Sequence, residues 1–190
     1  MSKQIKIYWP DKTTYFLTGS TFLHYPYFDD FDKKLIVLNQ IKKIQEKLLL
    51  KDIIFSIAVN HYHLKFYLEK GSDLAVVKKY MHGGTSFEYK KKYPLKYSDM
   101  WQTPKALRVI SDEMDWKVTG YIVGNLLKHK EVGKISELSG NIFTSYDTLV
   151  KKCGKGVVDE LVREIIAVTE TADGEISLQE MKNIKIKKAI

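Results

Sequence analysis

One cysteine, Cys153, stands among the 190 residues, so no internal disulfide can form and a Cys-rich zinc site is excluded. Only four prolines punctuate the chain, and neither an internal repeat nor a low-complexity tract is visible. No apolar run approaches the length that spans a bilayer, and the N-terminal MSKQIKIYWPDK lacks the apolar core of a signal peptide. The reading is a soluble, cytoplasmic protein with no membrane partner. A Gly-rich loop of the kind that cradles nucleotide phosphates is also missing.

Positive charge is what the chain has in excess. Lys and Arg number 31 against 23 Asp and Glu, a formal charge of +8. This balance suits a polyanionic partner, nucleic acid before anionic membrane or an acidic protein. Twelve Tyr, eight Phe and three Trp supply ring faces on which unpaired bases can stack, although most aromatic side chains serve a core. A hydrophobic share of 44% is ordinary for a globular domain of this length.

Periodicity sets out the elements. TYFLTGSTFL (14–23) is rich in β-branched and aromatic residues and reads as a strand. Asp32 is the expected cap of a helix over 33–51, in which Leu35, Leu38, Ile41, Ile44 and Leu48 recur at spacings of three and four. DIIFSIAVN and HYHLKFYLE follow as two strands, with Asn60 bending the chain or sitting in their connection. A helix is expected over 73–92, weakened and so broken or kinked at Gly83-Gly84, then a strand over 105–111 and a helix over 112–130. Asp112, Glu113 and Asp115 near the start of the last helix, and Lys128 and Lys130 near its end, suit its dipole.

The order β-α-β-β-α-β-α predicts an α+β fold, a four-stranded antiparallel sheet with helices on one face in the ferredoxin or RNA-recognition style. From Tyr146 the chain changes to short helical segments, YDTLVKK, GVVDELVREIIAVT and SLQEMKNIKIKK. These read as a small helical C-terminal appendage, 146–190, on a main domain of 1–145, ending in a basic tail.

Two of the five histidines, His61 and His63, lie two residues apart on a predicted strand. Alternation points both to one face while Tyr62, Leu64 and Phe66 point to the other. Neutral imidazoles so placed can chelate one ion, although an isolated His-x-His is more often a surface or hydrogen-bonded pair. Tyr121 and Asn125 are four apart on the last helix and therefore share a face, with Gly120 and Gly124 leaving the backbone bare for close approach. A tyrosine oxygen can attack phosphorus, and a divalent cation can polarise the phosphate. Alone, Tyr121 reads as easily as a packed aromatic.

Together the segments resemble a family. NHYHLKFYL resembles the His-hydrophobe-His signature of the HUH single-strand endonucleases. More closely, the chain is similar to the single-tyrosine transposases, IS200-like and REP-associated. Their ordered signatures match Asn60-His61-Tyr62-His63, MHGGTSFEYKKKY (81–93), MWQTPKALRVI (100–110) and GYIVGN (120–125). The resemblance covers roughly 14–130. It implies His61 and His63 as metal ligands, Tyr121 as nucleophile and Asn125 as the residue completing the metal site. It further implies Mg2+ or Mn2+, a single-stranded or hairpin DNA substrate, and a cytoplasmic, nucleoid-associated place in a prokaryotic cell. Some members exchange the tyrosine helix between subunits, and a hinge at Gly120 would permit such a homodimer here. Tyr62 replaces the usual aliphatic residue, Val59 a frequent Pro, and Leu126 the Pro that often follows the Asn.

Other residues extend the expectation. Lys65 shares the strand face of the histidines and is placed to approach a phosphate. EYKKKYP (88–94) puts Lys90, Lys91 and Lys92 between tyrosines, a pattern suited to backbone contact and base stacking, though also to a solvated helix end. His82 is a DNA-contact candidate, and the family pattern adds Trp101 and Arg108. The leading expectation is an enzyme that nicks and rejoins DNA through Tyr121 and a 5′-phosphotyrosine link. The alternative is a non-catalytic binder of single-stranded or hairpin nucleic acid. A zinc hydrolase lacks a carboxylate partner close to the histidines.

Overall fold

The computed structural model describes residues 9–166. Four strands, β1 (Thr13–Ser20), β2 (Ile54–Ile57), β3 (His61–Leu68) and β4 (Lys105–Val109), form one antiparallel sheet in the order β2-β3-β1-β4. The class is α+β, as the element order predicts. Between β1 and β2 runs α1 (Phe31–Leu48); between β3 and β4 run α2 (Leu74–Lys78), a π-helical turn (Lys79–Gly84) and α3 (Thr85–Lys90). After β4 come α4 (Asp112–Lys128), α5 (Tyr146–Cys153) and α6 (Lys155–Ile166).

The helices do not all share a face. Tyr62 on β3 packs against His82 of the π turn, and α1 packs on that same turn and on α3. His63, one residue on, faces Tyr121 of α4. The helices between strands therefore cover one face, as expected, while α4, the helix after the last strand, covers the other. Both faces are thus dry, which explains why β3 is buried along nearly its whole length.

Local chemistry moved several boundaries. The cap of α1 is Asp30, not Asp32: its extended backbone lets the carboxylate accept from Lys33 N at 2.8 Å, and Asp32 falls in the first turn. The helix stops at Leu48 because Leu49 is left-handed (φ 50°). The first strand ends at Ser20, where Leu23 and His24 both turn left-handed. Asn60 belongs to the connection, since Ala58 N donates to His61 O at 2.9 Å to close the β2–β3 hairpin. The expected interruption near Gly83-Gly84 takes the form of the π turn, which contains the pair and separates α2 from α3, and Gly84 lies against Gln40 of α1.

From Tyr146 onward α5 and α6 are helical, and Val158, Leu161, Val162 and Ile165 are buried. Leu161 and Ile165 lie where a Cβ on Gly120 would fall (2.6 Å from Leu161 Cγ), and Val162 lies at 3.2 Å from that of Gly124. The close approach that these glycines permit is made by α6 of the same chain. Gly120 sits inside the continuous α4. The final segment SLQEMKNIKIKK and the basic tail lie outside the described residues.

Candidate active site

The site forms where β3 meets α4. Register pairs His61 with Ser20 and His63 with Thr18 on β1, so both imidazoles stand under α4. α4 starts at Ser111, whose side chain accepts from Met114 N, with three acidic residues in its first turn as its dipole favours. From there the helix carries Tyr121 and, one turn on, Asn125 over the pair. The His63 ring centroid lies 5.0 Å from that of Tyr121 and 5.0 Å from that of His61. Asn125 Oδ1 stands 3.1 Å from His61 Nε2. The four residues expected from the sequence therefore converge, from segments more than fifty residues apart.

Second partners hold each imidazole. His61 Nδ1 lies 2.7 Å from Asn60 Oδ1, an acceptor that would take the ring proton whenever Nε2 serves as a ligand. Asn60 is itself oriented, donating Nδ2 to His24 O at 3.1 Å. Thr18 Oγ1 lies 2.7 Å from His63 Nδ1, and His63 Nε2 is buried with no hydrogen-bond partner. Burial, and then repulsion from His61 and His129, push the His63 imidazole well below its ordinary pKa. His61 Nε2 and Asn125 Oδ1 lie 3.1 Å apart beside the unpartnered His63 Nε2, and the Asn125 amide nitrogen is also unpartnered. Such a donor set fits a divalent cation. Among the described residues no three His, Cys, Asp or Glu side chains cluster into a metal site, so an ion held here would need the Asn125 amide oxygen as its third ligand.

The site is closed. Tyr121 is 1% exposed, Asn125 and His63 0%, and His61 3%.

The DNA-contact candidates fall in several places. Lys65 joins the site's face, yet its ammonium is bound at 2.6 Å to Asp115 and at 2.5 Å to Thr119 of α4. His82 and Trp101 lie on the opposite face, their rings stacked at 4.5 Å and 14°. Arg108 is exposed on β4 opposite Tyr15, also on that second face. Lys90, Lys91 and Lys92 are exposed at the end of α3, with Lys91 near Glu88 (3.1 Å) and over the Phe87 ring (4.1 Å).

Sequence reasoning missed His129 and Thr18. His129 follows Asn125 by one helical turn and its ring lies 4.6 Å from that of His61, so the same spacing that found Asn125 could have found it. Thr18 had no signal, because only the β1–β3 register brings it to His63.

A REP-associated tyrosine transposase, solved bound to a REP hairpin, shares this fold: TM-score 0.62 at 17% sequence identity, over 94% of this chain and 99% of that one. A Deinococcus radiodurans R1 chain described as a candidate transposase overlaps more loosely, with TM-score 0.45 at 14% identity over 64% of this chain and 94% of that one. No protein-family model matches the chain, and no curated protein matches it by sequence. The chain thus has the fold of a REP-associated tyrosine transposase. Among the described residues no helix is long and apolar enough to cross a membrane.

Proposed function

We propose that the chain is a metal-dependent, single-stranded DNA nicking and rejoining enzyme, a transposase-like strand transferase acting beside hairpin-forming DNA. The observation that carries this reading is the convergence of Tyr121, His61, His63 and Asn125 between β3 and α4, with both imidazoles held by second partners. The fold shared with a hairpin-bound transposase and the +8 charge support it.

The Tyr121 oxygen attacks the scissile phosphorus. A Tyr–O–P bond forms, the P–O3′ bond breaks, and the phenolic proton ends on the departing 3′ oxygen. The products are a 5′-phosphotyrosine link and a free 3′-hydroxyl. A second 3′-hydroxyl then attacks the link and releases Tyr121, so one phosphodiester is exchanged for another and no external energy source is needed. Mg2+ or Mn2+ held by His61, His63 and Asn125 would polarise the phosphate and stabilise its developing charge. Asn60 and Thr18 keep the two imidazoles in orientation. Because Tyr121 is buried, DNA reaches it only when α4 moves away from β3.

That burial also favours a second reading, a binder of single-stranded or hairpin nucleic acid that does not cut. One experiment separates them. A 3′-labelled oligonucleotide pool, a fixed hairpin with randomised single-stranded flanks, is incubated with the protein and Mn2+ and resolved under denaturing conditions. The enzyme yields a labelled protein band whose DNA-derived mass maps to Tyr121, and Tyr121→Phe yields none while still binding. An adduct on another tyrosine, an undiminished adduct in the variant, or no adduct at all refutes the proposal.

A further inference from the structure

A row of rings runs along the face away from Tyr121 to the edge of the sheet where β3 begins. From the Lys90–Lys92 cluster it passes through Tyr93, Tyr89, Tyr27, Tyr25, Tyr97 and Phe22, with successive centroids 5.0, 5.5, 4.7, 5.7 and 5.5 Å apart. Tyr27 and Tyr89 are buried and act as the base of the row, and Tyr27 Oη accepts from Tyr97 N at 3.1 Å. Tyr93, Tyr25, Tyr97 and Phe22 are half-buried and so keep ring surface in solvent.

The far end of the row is built with care. Leu23 and His24 are consecutive left-handed residues (φ 52° each), a conformation unfavourable for side chains larger than glycine. Three bonds impose it: Thr21 Oγ1 donates to Tyr25 O (2.7 Å), Gln102 Nε2 to Thr21 O (3.1 Å), and Asn60 Nδ2 to His24 O (3.1 Å). The last ties the loop to the amide that orients His61. Leu23 is left 64% exposed. Nearby acidic charge is reduced, since Asp29 and Asp30 share the Lys33 ammonium at 2.6 and 3.1 Å.

We infer that Phe22, Tyr25, Tyr97 and Tyr93 form a stacking platform for unpaired bases, leading single-stranded DNA from the Lys90–Lys92 cluster to the edge of the sheet beside His61. Every base has a π face, so the platform tolerates sequence, and the lysines hold the backbone at one end. The inference rests on the nucleic-acid reading above but not on catalysis.

The test measures equilibrium binding in EDTA, where strand cutting plays no part. The probe is an unstructured mixed-sequence single strand of about 20 nucleotides containing 2-aminopurine, and a blunt duplex is the comparison. Wild type quenches the 2-aminopurine. Phe22→Leu/Tyr97→Leu keeps apolar bulk but removes two ring faces, and weakens single-strand binding by roughly tenfold or more. Its log–log salt slope and its duplex affinity stay unchanged, because no phosphate contact is lost. Tyr97→Phe alone retains the binding. If the double variant shows a lowered melting temperature, Tyr25→Leu serves in its place. Unchanged affinity, absent quenching, or a loss matched by the duplex or by a shallower salt slope overturns the platform. The adduct experiment can fail while the platform stands, and the reverse.

Discussion

The two faces of β3 use similar residues to different ends. On one face His61, His63 and Lys65 point at α4, and each is held by a polar partner drawn from a neighbouring element. On the other, Tyr62 meets His82 and Trp101, and the polar atoms of all three, Tyr62 Oη, His82 Nε2 and Trp101 Nε1, are buried without a hydrogen bond. Both faces exclude water. Unpaired polar atoms on the second sit among packed rings, His82 stacked on Trp101 and Tyr62 edge-on to both, whereas on the first the ring nitrogens of two histidines and an amide are brought together. A histidine whose far nitrogen is held by a partner, and whose near nitrogen stands beside a second imidazole and an amide, is arranged for a ligand. A histidine stacked on tryptophan is arranged for packing.

Breaking each face in turn gives the largest contrast. Replacing both His61 and His63 with Ala should abolish the covalent DNA adduct, at least a hundredfold below wild type on the scale of lost metal ligands and their supports, while most DNA affinity persists. Tyr62→Phe, one residue away but facing Trp101, should leave the adduct yield near wild type. Gel quantification of labelled adduct decides: a double variant that still cuts removes the metal reading, and a Tyr62→Phe protein that fails to cut removes the contrast between faces.

The next effect tests what holds α4 over the histidines. A Cβ on Gly120 would meet Leu161 Cγ at 2.6 Å and Ile165 Cγ1 at 3.0 Å, so Gly120→Ala forces α6 outward. Overpacking of this kind costs about 1–3 kcal/mol, against which the helix gains up to about 1 kcal/mol from losing a glycine. A net loss of about 1–2 kcal/mol by denaturant unfolding is expected. Gly83→Ala has open space around its Cβ and should be neutral or slightly stabilising. Equal behaviour of the two variants would falsify the account of α4–α6 packing.

How much of this was legible beforehand follows from the range of each signal. Strand alternation put His61 and His63 on one face, and helical spacing put Tyr121 and Asn125 on another, because both patterns are local. The antiparallel sheet followed from the succession of elements, whereas its strand order is set by the pairing of distant strands. What the sequence left open was set by tertiary contact. Nothing local distinguishes a lysine beside DNA from Lys65 bound to Asp115, or a DNA-facing His82 from one stacked on Trp101. The passage of α4 to the far face was likewise unreadable, since its apolar stripe would suit either side. The cap moved from Asp32 to Asp30 because either carboxylate satisfies the pattern, and only the backbone angles choose.

The smallest effect belongs to the second face and appears only in acid. Burial first, and then repulsion from Lys78, push the His82 imidazole from its ordinary 6.5 down to about 4. A group whose folded pKa is depressed binds protons more readily in the unfolded chain, so its neutral, folded form is favoured above pH 6.5 and loses that advantage as pH falls from 6.5 toward 4. His82→Phe keeps a ring against Trp101 and removes the titration. The two proteins should therefore run parallel above pH 7, and the wild type should lose about 1 kcal/mol more than the variant by a pH just below 6. His63 titrates in the same direction and remains in both, so the variant keeps part of the acid sensitivity and only the difference between the curves reports on His82. Denaturant melts at half-unit pH intervals measure that difference. Curves that stay parallel down to pH 4 would mean that the His82 ring takes up its proton without leaving the Trp101 stack, and the second face would then be wetter and looser than its packing indicates.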